Sequence, residues 1–259
     1  MTSPLVFSGL FTSGIFGIHQ APGDYQSIFF TNNSSIANEA ERKGWIPCML
    51  PFPETESDED NALLSKRVKF LEVLDMEIVK AMNLNLNNGV LYFDHKFLVL
   101  QRHVRKIVEV AGNAKVLIRA TPRRKNSIWQ EVEEASGQKR YARAMPSTIK
   151  FIESQVKTGF KSETRICNTG LIYYADLGCV RSLTSEVLKS CVELSQPECQ
   201  ILWAVHAQRA AAWIKVIEWR DPAVADIRWK DPVGAEKFPD GRPGRLRRLW
   251  WRMTDLVAE

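Results

Sequence analysis

The chain is most informative first in what it lacks. Its 259 residues hold five cysteines, Cys48, Cys167, Cys179, Cys191 and Cys199, and no two stand in a Cys-x-x-Cys pair. That spacing excludes the paired-cysteine zinc and redox motifs, and it fits reduced thiols in a cytosolic protein. The four histidines, His19, His95, His103 and His206, have no local metal-ligand spacing, so a structural zinc site is not expected. No glycine-rich stretch reads Gly-x-Gly-x-x-Gly or ends in the Lys-Ser/Thr of a phosphate loop, so neither nucleotide fingerprint is present. The apolar segment from Pro4 to Ile18 lacks a basic start and is broken by Gly9, Gly14 and Gly17. It is expected to be neither a secretory signal nor a membrane span.

What is present is a hydrophobic content of 45%, enough to bury a full core in one large domain or in two intimately packed subdomains, without an evident linker between halves. The net charge of +5 is unevenly spread. Five acids fall between Glu54 and Asp60, whereas Lys115 to Arg165 carries twelve basic residues against five acidic ones. The acidic block reads as a solvated loop. The basic excess either faces phosphates or is ordinary surface, and no nucleic-acid reader motif accompanies it.

Strands are predicted over 5–11, 25–31, 45–50, 89–100, 115–119, 166–174 and 214–219, with helices over 36–43, 60–82, 102–111, 128–141, 147–157, 183–191 and 200–212. The longest helix takes its N-cap from Asp60 or Asn61, which places Lys66, Arg67 and Lys69 near its amino end, where cations gain nothing from the dipole. Gly170, inside a strand, signals a bulge or a close backbone approach. The run from Gly89 to Leu100 is apolar except for Asp94, His95 and Lys96. A carboxylate there either caps a turn or projects from a strand end into a crevice, where chemistry is done. The cationic, aromatic stretch 245–253 either lies on an anionic membrane or packs on the body.

In serial order, the Phe-Thr-Asn-Asn strand end, the Gly-Trp-Ile strand, the Ser-Lys-Arg helix, the Leu-Tyr-Phe-Asp strand and the Asn-Thr-Gly-Leu-Ile strand resemble a GT-A-type glycosyltransferase. More narrowly, the chain is similar to the glycosyltransferase-like family of bacterial hypothetical proteins and plant mucilage-related proteins, over roughly residues 5 to 220. The resemblance implies an α/β, Rossmann-like domain over 1–220 with a mixed, mostly parallel sheet flanked by helices, followed by a basic, aromatic extension over 221–259. It implies transfer of a sugar from a nucleotide-sugar donor to a polysaccharide, lipopolysaccharide or other glycan or lipid-linked acceptor, in the cytoplasm or at the inner membrane face. No nucleic-acid partner is implied.

Position by position, Asp94 matches the first acid of the Asp-x-Asp element, which implies Mn2+ or Mg2+ at Asp94. Lys96 stands where the second acid belongs, and it either meets phosphate directly or marks a degenerate site. Asn32, Asn33, Lys66 and Arg67 match donor-binding positions. Trp129 and Glu131 match an acceptor-facing segment, with Glu131 able to take a hydroxyl proton. Gln200 matches the late Asp-Gln-type element, in which Cys199 replaces the acid, and His206 follows as a weaker candidate. The turn Arg123-Arg124-Lys125 offers further charge for a leaving diphosphate. A non-catalytic nucleotide-sugar or glycan-binding protein on the same scaffold is the competing implication.

Overall fold

A computed structural model describes residues 3–12, 17–123 and 125–227. Seven strands form one sheet: β1 Leu5–Gly9, β2 Ser27–Thr31, β3 Ile46–Met49, β4 Val90–Phe93, β5 Val116–Ala120, β6 Cys167–Tyr174 and β7 Ile214–Ile217. Their order across the sheet is β3-β2-β1-β4-β6-β5-β7. Only β6 runs against its neighbours, so the carboxyl ends of the other six lie along one edge, beside the amino end of β6. The expected mixed, mostly parallel α/β sheet is thus observed.

The nine helices among the described residues are α1 Ser34–Arg42, α2 Asp58–Lys69, α3 Glu77–Lys80, α4 Gln101–Ala111, α5 Ile128–Ser136, α6 Lys139–Ala142, α7 Met145–Lys157, α8 Leu177–Glu193 and α9 Cys199–His206. Alternate strand residues feed opposite layers. Phe7 and Phe30 join α2, α8 and α9 in one core, while Val6 and Phe29 join α1 and α4 in the other. Ala223, Val224 and Ile227 also pack into the second core. A third cluster joins α5, α7 and α9 through Val132, Ile152 and Ile201.

The expected 60–82 helix is interrupted. Its N-cap is Ser57, whose hydroxyl accepts from the Asp60 amide at 3.2 Å. Leu71 then adopts a left-handed φ of 66°, which α-helix geometry cannot pass through, and a short 3-10 turn and α3 follow. Past the break Val73, Leu74 and Val79 face the same core, and Ile78, which a continuous helix would turn inward, is exposed. Lys66, Arg67 and Lys69 therefore occupy the last turn of α2, where the dipole favours them, rather than its amino end.

The apolar run 89–100 is also shorter as a strand. β4 stops at Phe93, and the Phe97 amide closes a turn on the Asp94 carbonyl at 2.9 Å. Likewise the 128–141 helix stops at Ser136 before Gly137, and Pro146 sits in the first turn of α7 as a start signal. On α5, Glu131 and Val132 face inward while Trp129 is exposed.

Candidate functional site

The site is assembled where the carboxyl end of β4 meets the bulged start of β6, the last turn of α2 and the amino end of α9. Its geometry begins with Gly170. The β5–β6 register shifts between Ile118 and Arg119, so β6 bulges there. A Cβ on Gly170 would lie 2.7 Å from Asp94 Oδ2, 2.7 Å from Phe97 Cε2 and 2.8 Å from Asn168 Oδ1. The glycine is thus required by close approach, as its place inside a strand suggests.

Asp94 enters this gap. Its amide donates to the Gly170 carbonyl at 2.9 Å, and its Oδ1 accepts from the Tyr92 hydroxyl at 2.6 Å. Tyr92 is two positions earlier on the strand, so both side chains point to one face. The Lys69 ammonium lies 3.3 Å from the same oxygen and 5.4 Å from the centre of the Tyr92 ring. The Lys69 backbone is fixed as well, its carbonyl accepting from the Tyr174 hydroxyl at 2.9 Å.

The two partners differ in access. The Lys69 side chain is 4% exposed, whereas that of Asp94 is 39% exposed. Burial opposes ionisation of Asp94, but the Lys69 charge, then Lys66 and the Tyr92 hydroxyl outweigh it, holding the carboxyl well below the ordinary range. Burial likewise opposes the Lys69 charge, and Asp94 outweighs it, so the ammonium titrates above its usual value. Burial and then the Asp94 charge keep Tyr92 protonated as a donor.

The amino end of α9 joins this pair to a second polar group. Cys199 Sγ is 3.8 Å from Lys69 Nζ and 3.1 Å from the Thr169 hydroxyl. One residue on, the Gln200 side-chain amide donates to Glu131 Oε1 at 3.2 Å. The preceding residue, Glu198, caps the helix by accepting from the Gln200 amide at 3.0 Å, and its own amide donates to Gln196 at 2.9 Å. Gln196 is in turn held by Thr148 at 2.9 Å, so the segment is fixed from below. Glu131 is buried and ion-paired with Lys125, which also meets Glu134 at 2.8 Å. Burial, followed by the Glu198 charge, raises the Glu131 pKa, and Lys125 only partly counters this.

Of the residues singled out in the sequence, Lys66 acts on Asp94, and Gln200 donates to Glu131; Cys199, 3.8 Å from Lys69, links the two groups along α9. Others are engaged elsewhere. Arg67 pairs with Glu72 at 2.5 Å and lies 5.5 Å from the Phe52 ring. Asn33 caps α1, accepting from the Ile36 amide at 3.1 Å and donating to the Thr12 carbonyl at 3.3 Å. Asn32 donates to the Pro53 carbonyl at 2.9 Å, and its buried Oδ1 has no hydrogen-bond partner among the described residues. Lys96 follows Asp94 in the turn after β4. Trp129 is exposed on α5. His206 Nε2 is 2.9 Å from the Ser190 hydroxyl and its Nδ1 is 3.3 Å from Glu186. Arg124 and the stretch 245–253 lie outside the described residues.

Sequence reasoning missed Tyr92 and Arg119, and it read Lys69 only as one of three cations on its helix, without its pairing to Asp94. Tyr92 could have been found from its two-residue spacing to Asp94. Arg119 is fully buried, with its guanidinium 4.1 Å from the Trp219 ring centre and 4.9 Å from that of Phe97. It donates to the Ile227 carbonyl at 2.6 Å, and burial lowers its pKa to about 9 against the opposing charge of Asp94.

The residues present do not suit a divalent ion at Asp94. Among the described residues no three His, Cys, Asp or Glu side chains are placed to hold a metal. One Asp94 oxygen is already shared by Tyr92 and Lys69. A divalent ion about 4 Å from an ammonium would be repelled by about 8 kcal/mol at an effective dielectric of about 20. The carboxylate opens directly at the surface. Two clefts lie elsewhere, one of about 790 Å3 lined by Lys115, Asp176 and Arg181 at the opposite edge of the sheet and one of about 470 Å3 beside Gln101. No helix among the described residues is long and apolar enough to cross a membrane.

No protein-family model matches the chain, and no curated protein matches it. Among solved structures, mouse xyloside xylosyltransferase 1 in its apo form is similar at a TM-score of 0.39 and 10% identity, over 93% of this chain and 100% of that one. That is a likeness of outline only.

Proposed function

We propose that this protein is a glycosyltransferase that moves a sugar from a nucleotide-sugar donor to a glycan or lipid-linked acceptor. The observation that carries the reading is the convergence of Asp94, Lys66 and Lys69 with Glu131 and Gln200 through the short segment 198–200. Ligands of open α/β sheets bind beyond the carboxyl ends of the strands, and this group stands there.

Each residue then has a role. The exposed Asp94 oxygen accepts from a donor hydroxyl, and Asn32 offers a buried acceptor near the nucleoside. Lys66 and Lys96 face the diphosphate, whose negative charge grows as its bond to the sugar carbon breaks. In an inverting transfer the acceptor oxygen attacks that carbon, the diphosphate leaves with the bonding electrons, and Glu131 takes the hydroxyl proton. A raised pKa suits a base that must also give the proton up. Gln200 and Lys125 orient that carboxylate, and exposed Trp129 offers a ring face to the acceptor sugar.

The basic excess between Lys115 and Arg165 gives little support to a nucleic-acid partner. Arg119 is buried, and Lys115, Lys125, Arg143 and Arg165 are each paired with acids. A second reading, a non-catalytic binding protein, is favoured by Lys96 and Cys199 at places where the resembled family carries acids. Release of UDP or GDP from the corresponding sugar nucleotides separates the two readings. Slow release that vanishes in a folded Asp94→Ala variant supports transfer, binding without release supports the second reading, and neither binding nor release contradicts both.

A further inference from the structure

Lys69 belongs to no expected donor or metal position, yet its charge is almost wholly enclosed beside Asp94. Its ammonium lies 3.3 Å from Asp94, 3.8 Å from Cys199 and 5.4 Å from the centre of the Tyr92 ring, and its backbone carbonyl accepts from the Tyr174 hydroxyl. We infer that Lys69 is the cation this site carries permanently in place of a divalent metal, so that nucleoside diphosphates bind here without one. The inference rests on the nucleotide-sugar reading above and deepens it.

A carboxylate beside a diphosphate must have its charge neutralised, since two anions otherwise repel. In a metal-dependent site the ion meets that need and is held by several oxygen ligands. Here Lys96 removes the second acid, and the remaining one is already neutralised from behind. The Lys69 ammonium and the Tyr92 hydroxyl converge on Oδ1, which leaves Oδ2, beside Gly170, for a ligand hydroxyl. Lys66, three residues earlier on the same helical face, adds a second charge within electrostatic reach of Asp94. Placement of both lysines in the last turn of α2 makes the arrangement self-consistent, because the dipole there favours cations.

The test is calorimetric titration of UDP and GDP into the wild-type chain and into Lys69→Met, each in excess EDTA and again in excess MnCl2, with circular dichroism to confirm the fold. The wild type is expected to bind one diphosphate equally in both media. Lys69→Met is expected to bind it roughly ten- to a hundredfold more weakly in EDTA, because the Asp94 charge then repels the diphosphate. Mn2+ is expected to restore much of that loss, because the vacated carboxylate can then accept a metal. Wild-type binding that requires Mn2+ would overturn the inference and leave the nucleotide-sugar reading intact, whereas binding in neither medium would overturn both. A folded Lys69→Met that binds as the wild type does in EDTA, or that Mn2+ fails to restore, would reduce the lysine to a packing role. Should Lys69→Met not fold, the wild-type comparison decides alone.

Discussion

Lys69, from the last turn of α2, and Asp94, from the end of β4, form an ion pair 3.3 Å long in which the cation is buried and the anion reaches the surface. Breaking it from the acid side strands an ammonium that water cannot reach. Asp94→Asn is therefore expected to lower stability by about 1 to 3 kcal/mol, below the cost for a wholly buried pair because Asp94 is partly solvated. Combining it with Lys69→Met should recover part of that loss. Urea denaturation of the single and double variants measures the coupling. Because the Asp94 pKa is depressed, the stabilisation is fully present above the ordinary carboxylate range and fades only as strongly acid pH brings on its protonation.

Gly170→Ala puts a methyl group 2.7 Å from both Asp94 Oδ2 and Phe97 Cε2. Neither is a free-swinging end, since Asp94 is tied to Lys69 and Phe97 is packed in the second core. Overpacking of this kind costs about 1 to 3 kcal/mol and displaces the carboxylate. Loss of nucleotide binding together with lowered stability is expected, and unchanged binding would mean that the position of Asp94 is not critical.

If Glu131 is the base, activity must fall as it is protonated. Its raised pKa sets the acid limb of kcat/KM above the ordinary carboxylate range, and removal of its cation in Lys125→Met should move that limb higher still. Glu131→Gln should cost roughly a hundredfold or more in turnover while leaving diphosphate binding intact. An acid limb that Lys125→Met does not move would remove Glu131 from the role.

Two histidines set the stability below neutrality. Burial, aided by Arg102, depresses the His103 pKa, and burial does so for His206 against the charge of Glu186. His103 Nδ1 also accepts from the Leu100 amide at 3.1 Å, a bond that a protonated ring cannot accept. Each folded pKa lies below the unfolded one, near 6.5, so the unfolded chain binds more protons and stability falls as pH drops through about 6.5. His103→Gln should flatten part of this slope in denaturation midpoints measured across that range.

The sheet was legible because buried strands announce themselves as short apolar runs ending in turn residues, and Gly170 announced its close approach. Helix ends were less so. Leu71 takes a left-handed conformation that no propensity favours, and the apolar period continues past it on the next turn. That one break moved Lys66 and Lys69 from the start of a helix to its end and hid the pairing of Lys69 with Asp94. Arg119 was hidden differently, since a strand read from its Val-Leu-Ile run gives no sign that the next side chain is enclosed between Phe97 and Trp219. Asn33 illustrates the reverse, a residue type suited to ligands that is spent on capping α1.

The central claim is that nucleotide sugars bind at Asp94. Titration of UDP- and GDP-sugars into wild type and a folded Asp94→Ala variant tests it most directly. At least one donor is expected to bind the wild type and to lose about tenfold or more in affinity in the variant. Equal affinity in both proteins, or no binding of any donor to the wild type, would contradict it.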